Sequence, residues 1–214
     1  APCRALTQEL REQMGQAAVN AAKAVNYTSA GTIEFLLTKE NEFFFMEMNT
    51  RVQVEHPVTE MITGIDIIKE QIRIAFGLPI SVRQEEVMIR GHAIECRINA
   101  EDPKNGFMPS CGRVNVVHIP GGNGVRIDSS LYQDSAMSPY YDSMLGKLVV
   151  HGKTRQEAVR KMRRALEEFV IEGISTNVGL LYFMMYERAF LKGTYTTDFL
   201  EGNLDRIQNL MEQI

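Results

Sequence analysis

Apolar positions recur at helical spacing from the start of the chain. Leu10, Met14, Ala17, Ala18, Ala21 and Val25 form one stripe behind Thr7, a capping residue, which predicts a helix with that stripe in the core. The period then changes. Residues 31–37 and 43–49 read as β-strands separated by Thr38-Lys39-Glu40-Asn41-Glu42, a hairpin whose turn, if centred on Glu40-Asn41, pairs Glu34 with Glu47. After His56-Pro57 the pattern is mixed until a helix over about 66–76, with Ile68, Ile72 and Ala75 as its inner face and Gly77 and Pro79 closing it. Residues 81–90 are polar and read as a linker. Short β-type runs at 91–99, 113–119, 125–130 and 145–151, with turns rich in Pro and Gly, suggest an antiparallel sheet. Thr154-x-x-Glu157 is a capping box for a helix carrying Ala158, Met162, Ala165, Leu166 and Phe169 on one side, and a second helix is expected over about 178–190, ending near Gly193. Strand runs followed by helix runs argue an α+β fold, with no internal repeat.

The segment Glu47-Met48-Asn49-Thr50-Arg51-Val52-Gln53-Val54-Glu55 carries the densest candidate chemistry. If it ran extended throughout, Glu47, Asn49, Arg51, Gln53 and Glu55 would share one face, leaving Met48, Val52 and Val54 to a core. Buried charges are costly unless paired or bound to a ligand, so such a row is either a solvated edge or a site for ions. Opposed carboxylates at Glu34 and Glu47 repel by up to roughly 1 kcal/mol. A hard divalent cation would remove that cost, and Glu34, Glu47 and Asn49 offer the oxygens it prefers. A surface ladder with Glu34 paired to a lysine is the alternative, and spacing alone does not choose between them.

These residues also carry a family resemblance. Gly31-Thr32-Ile33-Glu34-Phe35 followed by Phe45-Met46-Glu47-Met48-Asn49-Thr50-Arg51-Val52-Gln53-Val54-Glu55-His56-Pro57 resembles the metal and bicarbonate site of biotin carboxylases, members of the ATP-grasp superfamily. Two further motifs follow in the family's order, Arg90-Gly91-His92-Ala93-Ile94-Glu95-Cys96-Arg97-Ile98-Asn99 and Pro139-Tyr140-Tyr141-Asp142-Ser143-Met144-Leu145-Gly146-Lys147. The resemblance covers practically the whole chain. It implies the C-terminal part of an ATP-grasp domain over 1–85, then the biotin carboxylase C-terminal domain over 86–214, an antiparallel sheet plus helices.

The implied activity is ATP-dependent carboxylation of biotin carried on a protein. ATP activates bicarbonate as carboxyphosphate, and the carboxyl group passes to a ureido nitrogen. The resemblance implies Mg²⁺ or Mn²⁺, two ions, on Glu34, Glu47 and Asn49, and ATP contacts at Glu34, Leu36, Glu47 and Thr197, the last standing where the family usually has an aliphatic side chain. A guanidinium at Arg51 suits a planar anion such as bicarbonate, with Gln53 and the Val54 backbone N–H completing the cradle. Glu55 is the implied general base, and Arg97 the implied cation for negative charge on the ureido oxygen, oriented by Asp142. Outside the family, Glu55 reads as an ion-pair partner of Arg51, and Arg97 as an ordinary ion-paired strand residue. Implied partners are a biotin carboxyl carrier protein, a carboxyltransferase and a second copy of the chain, with Arg126 in the region of the two-fold. Acetyl-CoA, for fatty-acid synthesis, is the expected final acceptor, with pyruvate or another acyl-CoA as the alternative.

Up to residue 85 the only lysines are Lys23, Lys39 and Lys69, and no glycine cluster occurs there. The family's phosphate-holding lysines and glycine-rich loop are therefore not matched, and the 214 residues read as a C-terminal half, expected to be inactive alone. Two rivals differ in class. A carbamoyl-phosphate synthetase type of ligase would share Glu34, Glu47 and Asn49 but not Arg97 or Tyr140-Tyr141-Asp142; a dimerisation or carrier-docking module would need no catalysis.

Composition changes this picture little. A net charge of −4 and a pI near 5.7 leave no basic footprint for nucleic acid or anionic membrane. No apolar run approaches the roughly 20 residues that span a bilayer and no signal peptide precedes the first helix, so a cytoplasmic protein is expected. Cys3, Cys96 and Cys111 lack metal-type spacing and read as reduced and structural. Pro120-Gly121-Gly122-Asn123-Gly124 lies between two strands with no helix after it and reads as a turn, not a phosphate loop. His56, His92, His118 and His151 are scattered, with no metal-binding spacing.

Overall fold

The computed structural model describes residues 1–212 and divides into two compact units, Pro2–Arg90 and the chain from Gly91 onward together with Ala1. In the first unit, α1 (Gln8–Ala24) begins as expected at Thr7, whose hydroxyl accepts the Leu10 N–H. Its stripe is only half-buried beyond Leu10, and Val25, expected in the core, is 63% exposed at the C-cap, where the helical phase ends. A hairpin follows, β1 (Thr32–Leu37) antiparallel to β2 (Phe43–Asn49). Its loop closes with Thr38 N–H donating to Glu42 O and Asn41 in the left-handed region at φ 64°.

The segment after β2 is not extended, so the shared face that an extended 47–55 would give is not formed. The strand stops at Asn49, and residues 50–55 turn so that α2 (His56–Thr63) can start at His56-Pro57. Proline suits the first helical turn, where its missing N–H has no partner to lose. Pro57 and Ile62 anchor α2 in the interior. The helix α3 (Ile67–Ala75) is capped by Asp66, which accepts the Lys69 N–H, and tied to α2 by the Ile67 N–H donating to Glu60 Oε1. Ile68, Ile72 and Ala75 do not form its inner face: all three are exposed, Ile72 at 53%. Ile67, Glu70, Gln71, Arg73 and Ile74 are the half-buried positions, so the helix is rotated by about one residue from the expected phase.

The second unit is built on a three-stranded antiparallel sheet. Its strands are β3 (His92–Asn99), β5 (Val125–Ser129) and β6 (Met144–Gly152), with β6 in the middle. The expected strand over 113–119 is divided. Gly112–Arg113 pairs with Ala136–Met137, Val114 is fully buried, and only β4 (Val116–His118) pairs onward, with β7 (Val170–Glu172) and not with the main sheet. One sheet face receives α4 (Arg155–Glu168), and Ile94, Cys96, Ile98, Leu148 and Val150 pack with Ala158, Met162, Ala165, Leu166 and Phe169 into one core. Thr154 caps α4 by accepting the Glu157 N–H, and Glu157 returns a bond to the Lys153 N–H, one residue before the expected position.

The expected helix over 178–190 is two helices, α5 (Val178–Met184) and α6 (Arg188–Lys192). Arg163 explains the break: its Nε and Nη2 both donate to Met185 O, and its guanidinium lies 3.8 Å from the Tyr186 ring centroid. The chain turns there and restarts from an extended Glu187. Gly193 ends α6 in the left-handed region, as expected. A last helix, α7 (Leu204–Met211), goes beyond those expected and buries Ile207. With antiparallel sheets and separate helices the fold is α+β, as the order of elements implies. Among the described residues no helix is long and apolar enough to cross a membrane.

Candidate active site

The hairpin brings the acidic candidates together. Glu34 pairs with Glu47, but not through a symmetric turn: Phe35 faces Phe45, and a β-bulge between Glu34 and Phe35 on the β1 side, with Met46 as the extra residue of β2, shifts the register. Without it, Glu34 would face Met46, and a one-residue slip would turn Glu47 and Asn49 to the opposite face. With it, Asn49 Nδ2 donates to Glu34 Oε1 at 2.9 Å and to Glu47 Oε1 at 2.8 Å. One neutral amide thus bridges two carboxylates.

The turn over 50–55 adds the remaining groups without a strand. Gln53 O receives the His56 N–H and lies 2.8 Å from His56 Nδ1, which pins the turn, while the Gln53 side chain donates to Glu34 Oε1 at 2.7 Å. Arg51 donates to Asn49 Oδ1 and Val52 O, both at 3.3 Å. Glu55 is the N-cap residue of α2, yet its side chain makes no capping bond. Glu34, Arg51, Gln53 and Glu55 line one cleft of about 410 Å³ with Gly31 and Thr59. Val54 is half-buried in the turn, and Leu36 is exposed on β1.

Glu34 and Glu47 are bridged through Asn49 Nδ2, and the three side chains supply hard-oxygen donors once the Asn49 amide turns its Oδ1, here bonded to Arg51, toward the carboxylates. Mg²⁺ is typically held by one or two carboxylates plus substrate phosphates, not by an all-protein cage. The set fits that pattern, and among the described residues no group of three His, Cys, Asp or Glu offers a cage elsewhere.

In the second unit Arg97 lies on β3 between buried Cys96 and Ile98, and its side chain is exposed. Asp142 is exposed and accepts the Met144 N–H on its Oδ1. Thr197 sits exposed in the segment before α7. Burial pushes the Cys96 thiol up to about 12, which removes it as a nucleophile or ligand, and Cys3 and Cys111 are unpaired thiols.

Residues 95–202, just over half of the chain, match the family model for the biotin carboxylase C-terminal domain. The chain belongs to that family. Residues 1–83 match the model for the carbamoyl-phosphate synthase L chain, ATP binding domain. Biotin carboxylase 1 of Bacillus subtilis is 55% identical over 201 residues, 94% of this chain and 45% of the relative. The pyruvate carboxylase subunit from Methanothermobacter thermautotrophicus is 50% identical over 201 residues, 94% of this chain and 41% of the relative. The crystal structure of the biotin carboxylase domain dimer of Hydrogenobacter thermophilus 2-oxoglutarate carboxylase, in complex with MgADP, ADP and bicarbonate, superposes with a TM-score of 0.94 at 47% identity, over 97% of this chain and 46% of that one. The chain spans less than half the length of these relatives.

One residue of this biotin carboxylase domain stands out beyond those expected from sequence. Asn177 is buried, and its side chain acts as an extra peptide group for β3: Oδ1 accepts the Asn99 N–H at 2.9 Å and Nδ2 donates to Arg97 O at 3.0 Å, while its own N–H donates to Asn99 O. It locks the strand that carries Arg97. A lone asparagine before a helix reads in sequence as a cap, and nothing in its spacing points to a strand nearly eighty residues away. Asn177→Ala leaves two part-buried backbone groups without the amide and is expected to destabilise the full-length protein by about 1–2 kcal/mol, read by urea denaturation. A change below about 0.5 kcal/mol would show that water replaces the amide.

Proposed function

We propose that the full-length protein is an ATP-dependent biotin carboxylase, which activates bicarbonate as carboxyphosphate and transfers the carboxyl group to biotin on a carrier protein. The observation that carries this is the joined network of Glu34, Glu47, Asn49, Gln53 and Arg51, in a chain of this family. Glu34, Glu47 and Asn49 would hold Mg²⁺ or Mn²⁺, which when bound neutralises phosphate charge during phosphoryl transfer. Arg51 binds bicarbonate with Gln53 and the Val54 N–H, and Glu55, on the wall of the same cleft, takes its proton. Arg97 stabilises negative charge on the ureido oxygen, with Asp142 as its orienting partner. Leu36 and Thr197 contact the adenine of ATP.

In this reading residues 1–85 complete an ATP-grasp domain and 86–214 form the carboxylase C-terminal domain. The working enzyme is a homodimer with Arg126 near the two-fold, served by a biotin carboxyl carrier protein and a carboxyltransferase. Acetyl-CoA is the final acceptor. The relatives include both biotin carboxylases and a pyruvate carboxylase component, so pyruvate is the second reading of that last step.

The test is phosphate release by the full-length protein with and without bicarbonate and free biotin, together with carboxybiotin formation. Bicarbonate-dependent cleavage coupled to carboxybiotin supports the reading, and cleavage coupled to another acceptor overturns it. The 214-residue chain by itself is expected to release no phosphate above background, because its first 85 residues hold no phosphate-binding glycine cluster. Bicarbonate-dependent release from the purified chain would refute that.

A further inference from the structure

His56 lies half-buried on the wall of the cleft that Glu34, Arg51, Gln53 and Glu55 share, at the first position of α2. Its ring Nδ1 is 2.8 Å from Gln53 O, and a carbonyl oxygen only accepts, so the ring proton sits on Nδ1. The His56 backbone N–H reaches the same oxygen at 3.3 Å. Gln53 O thus receives both bonds from one residue three positions on. The main-chain bond is longer than the usual range for N–H···O, so the ring supplies the stronger hold on this carbonyl.

That carbonyl controls more than the turn. A peptide unit is planar and trans, with its C=O and N–H on opposite edges. The unit that carries Gln53 O also carries the Val54 N–H, so the direction of one sets the direction of the other. The same residue leads into the Gln53 side chain, whose Nε2 donates to Glu34 Oε1 at 2.7 Å. A carboxamide nitrogen has two hydrogens, and the second can serve an anion. Both groups read above as bicarbonate contacts therefore depend on a peptide that His56 holds. The acids for the metal depend on it less, because Asn49 Nδ2 donates to the same Glu34 oxygen at 2.9 Å and stays if Gln53 leaves.

We propose that His56 is a positioning residue for bicarbonate: through its Nδ1–H bond to Gln53 O it fixes the peptide that aims the Gln53 amide and the Val54 N–H. The inference rests on the bicarbonate role given to those two groups above. Leucine and asparagine branch alike at Cγ, but only asparagine carries an N–H where the ring has Nδ1. In the full-length enzyme, His56→Leu is expected to raise the KM for bicarbonate in phosphate release by about fivefold, the scale of one hydrogen bond. Its kcat and its KM for ATP stay within about twofold of the parent, because what is lost is ground-state binding of the anion. His56→Asn returns the KM for bicarbonate to the parent value. A residue that served only to start α2 would lower the thermal midpoint and the amount of active enzyme, hence kcat, and leave that KM where it was.

An unchanged KM for bicarbonate in His56→Leu, a His56→Asn enzyme impaired to the same degree, or a fall in kcat alone would overturn the proposal. If His56→Leu does not fold, nitrogen NMR of the parent replaces it, with the His56 signals assigned by their loss in His56→Asn. A neutral ring protonated on Nδ1, beside the parent KM in His56→Asn, supports the proposal; protonation on Nε2 overturns it. Should the parent release no phosphate in response to bicarbonate, the functional reading is what fails. Crystal structures of the variants then decide the role of His56 by themselves: Gln53 is expected to leave Glu34 in His56→Leu and to stay on it in His56→Asn, and Gln53 unmoved in His56→Leu would overturn it.

Discussion

In the full-length enzyme, Glu55→Gln is expected to suppress bicarbonate-dependent ATP cleavage and carboxybiotin formation together, each by about 10²-fold or more, the usual contribution of a general base. Glu55 stands at the start of α2, exposed on the wall of the cleft that also holds Arg51 and Gln53. The carboxylate makes no capping bond to α2. Glutamine keeps the shape and the hydrogen-bonding reach but cannot take a proton, and an exposed isosteric change of this kind shifts stability by only about 0.5 kcal/mol. A large kinetic loss with an unchanged thermal midpoint therefore isolates the proton transfer. The measurement is phosphate release with and without bicarbonate, beside carboxybiotin formed. Loss of carboxybiotin alone, with bicarbonate-dependent cleavage intact, would place Glu55 at the biotin step and not at bicarbonate.

Where a local rule decides structure, the sequence was legible. Thr7 and Thr154 cap the helices they were expected to cap, because a hydroxyl one turn from an unpaired N–H needs no tertiary help. The Glu34–Glu47 pairing was also legible, although by a compensation: the turn and the bulge each differ from the simple hairpin, and together they restore the pair. The errors fall where a distant group intervenes. The conditional row over 47–55 is not formed because the Gln53–His56 contacts and Pro57 start a helix, so the functional side chains converge through a turn and not along a strand face. The helix over 178–190 failed because Arg163, on a different helix, takes the Met185 carbonyl. The face of α3 failed because periodicity gives an apolar stripe but not the phase in which a nine-residue helix docks. Asn177 and the Lys147–Asp128 contact are pairings across the fold, invisible without strand register.

The Arg97→Ala variant separates the second half of the chemistry from the first. Arg97 lies on a strand fixed on both sides, by buried Cys96 and Ile98 in the core and by Asn177 bonded to the Arg97 carbonyl. What is lost is a cation. Biotin's ureido nitrogen is a weak nucleophile until negative charge on the ureido oxygen is stabilised, and the loss of one electrostatic donor to a transition state costs on the order of 10²–10³ in rate. Carboxybiotin formation is expected to fall by at least about 10²-fold, while much of the biotin-independent ATP cleavage persists, since that reaction needs only ATP, the metal and bicarbonate. Paired measurements on this variant and on Glu55→Gln give the contrast: Glu55→Gln depresses both outputs, Arg97→Ala mainly the second. If Arg97→Ala depresses both in the same proportion, Arg97 is a structural ion-pair residue, and the cation that serves the ureido oxygen must be sought elsewhere on the polar face of the sheet.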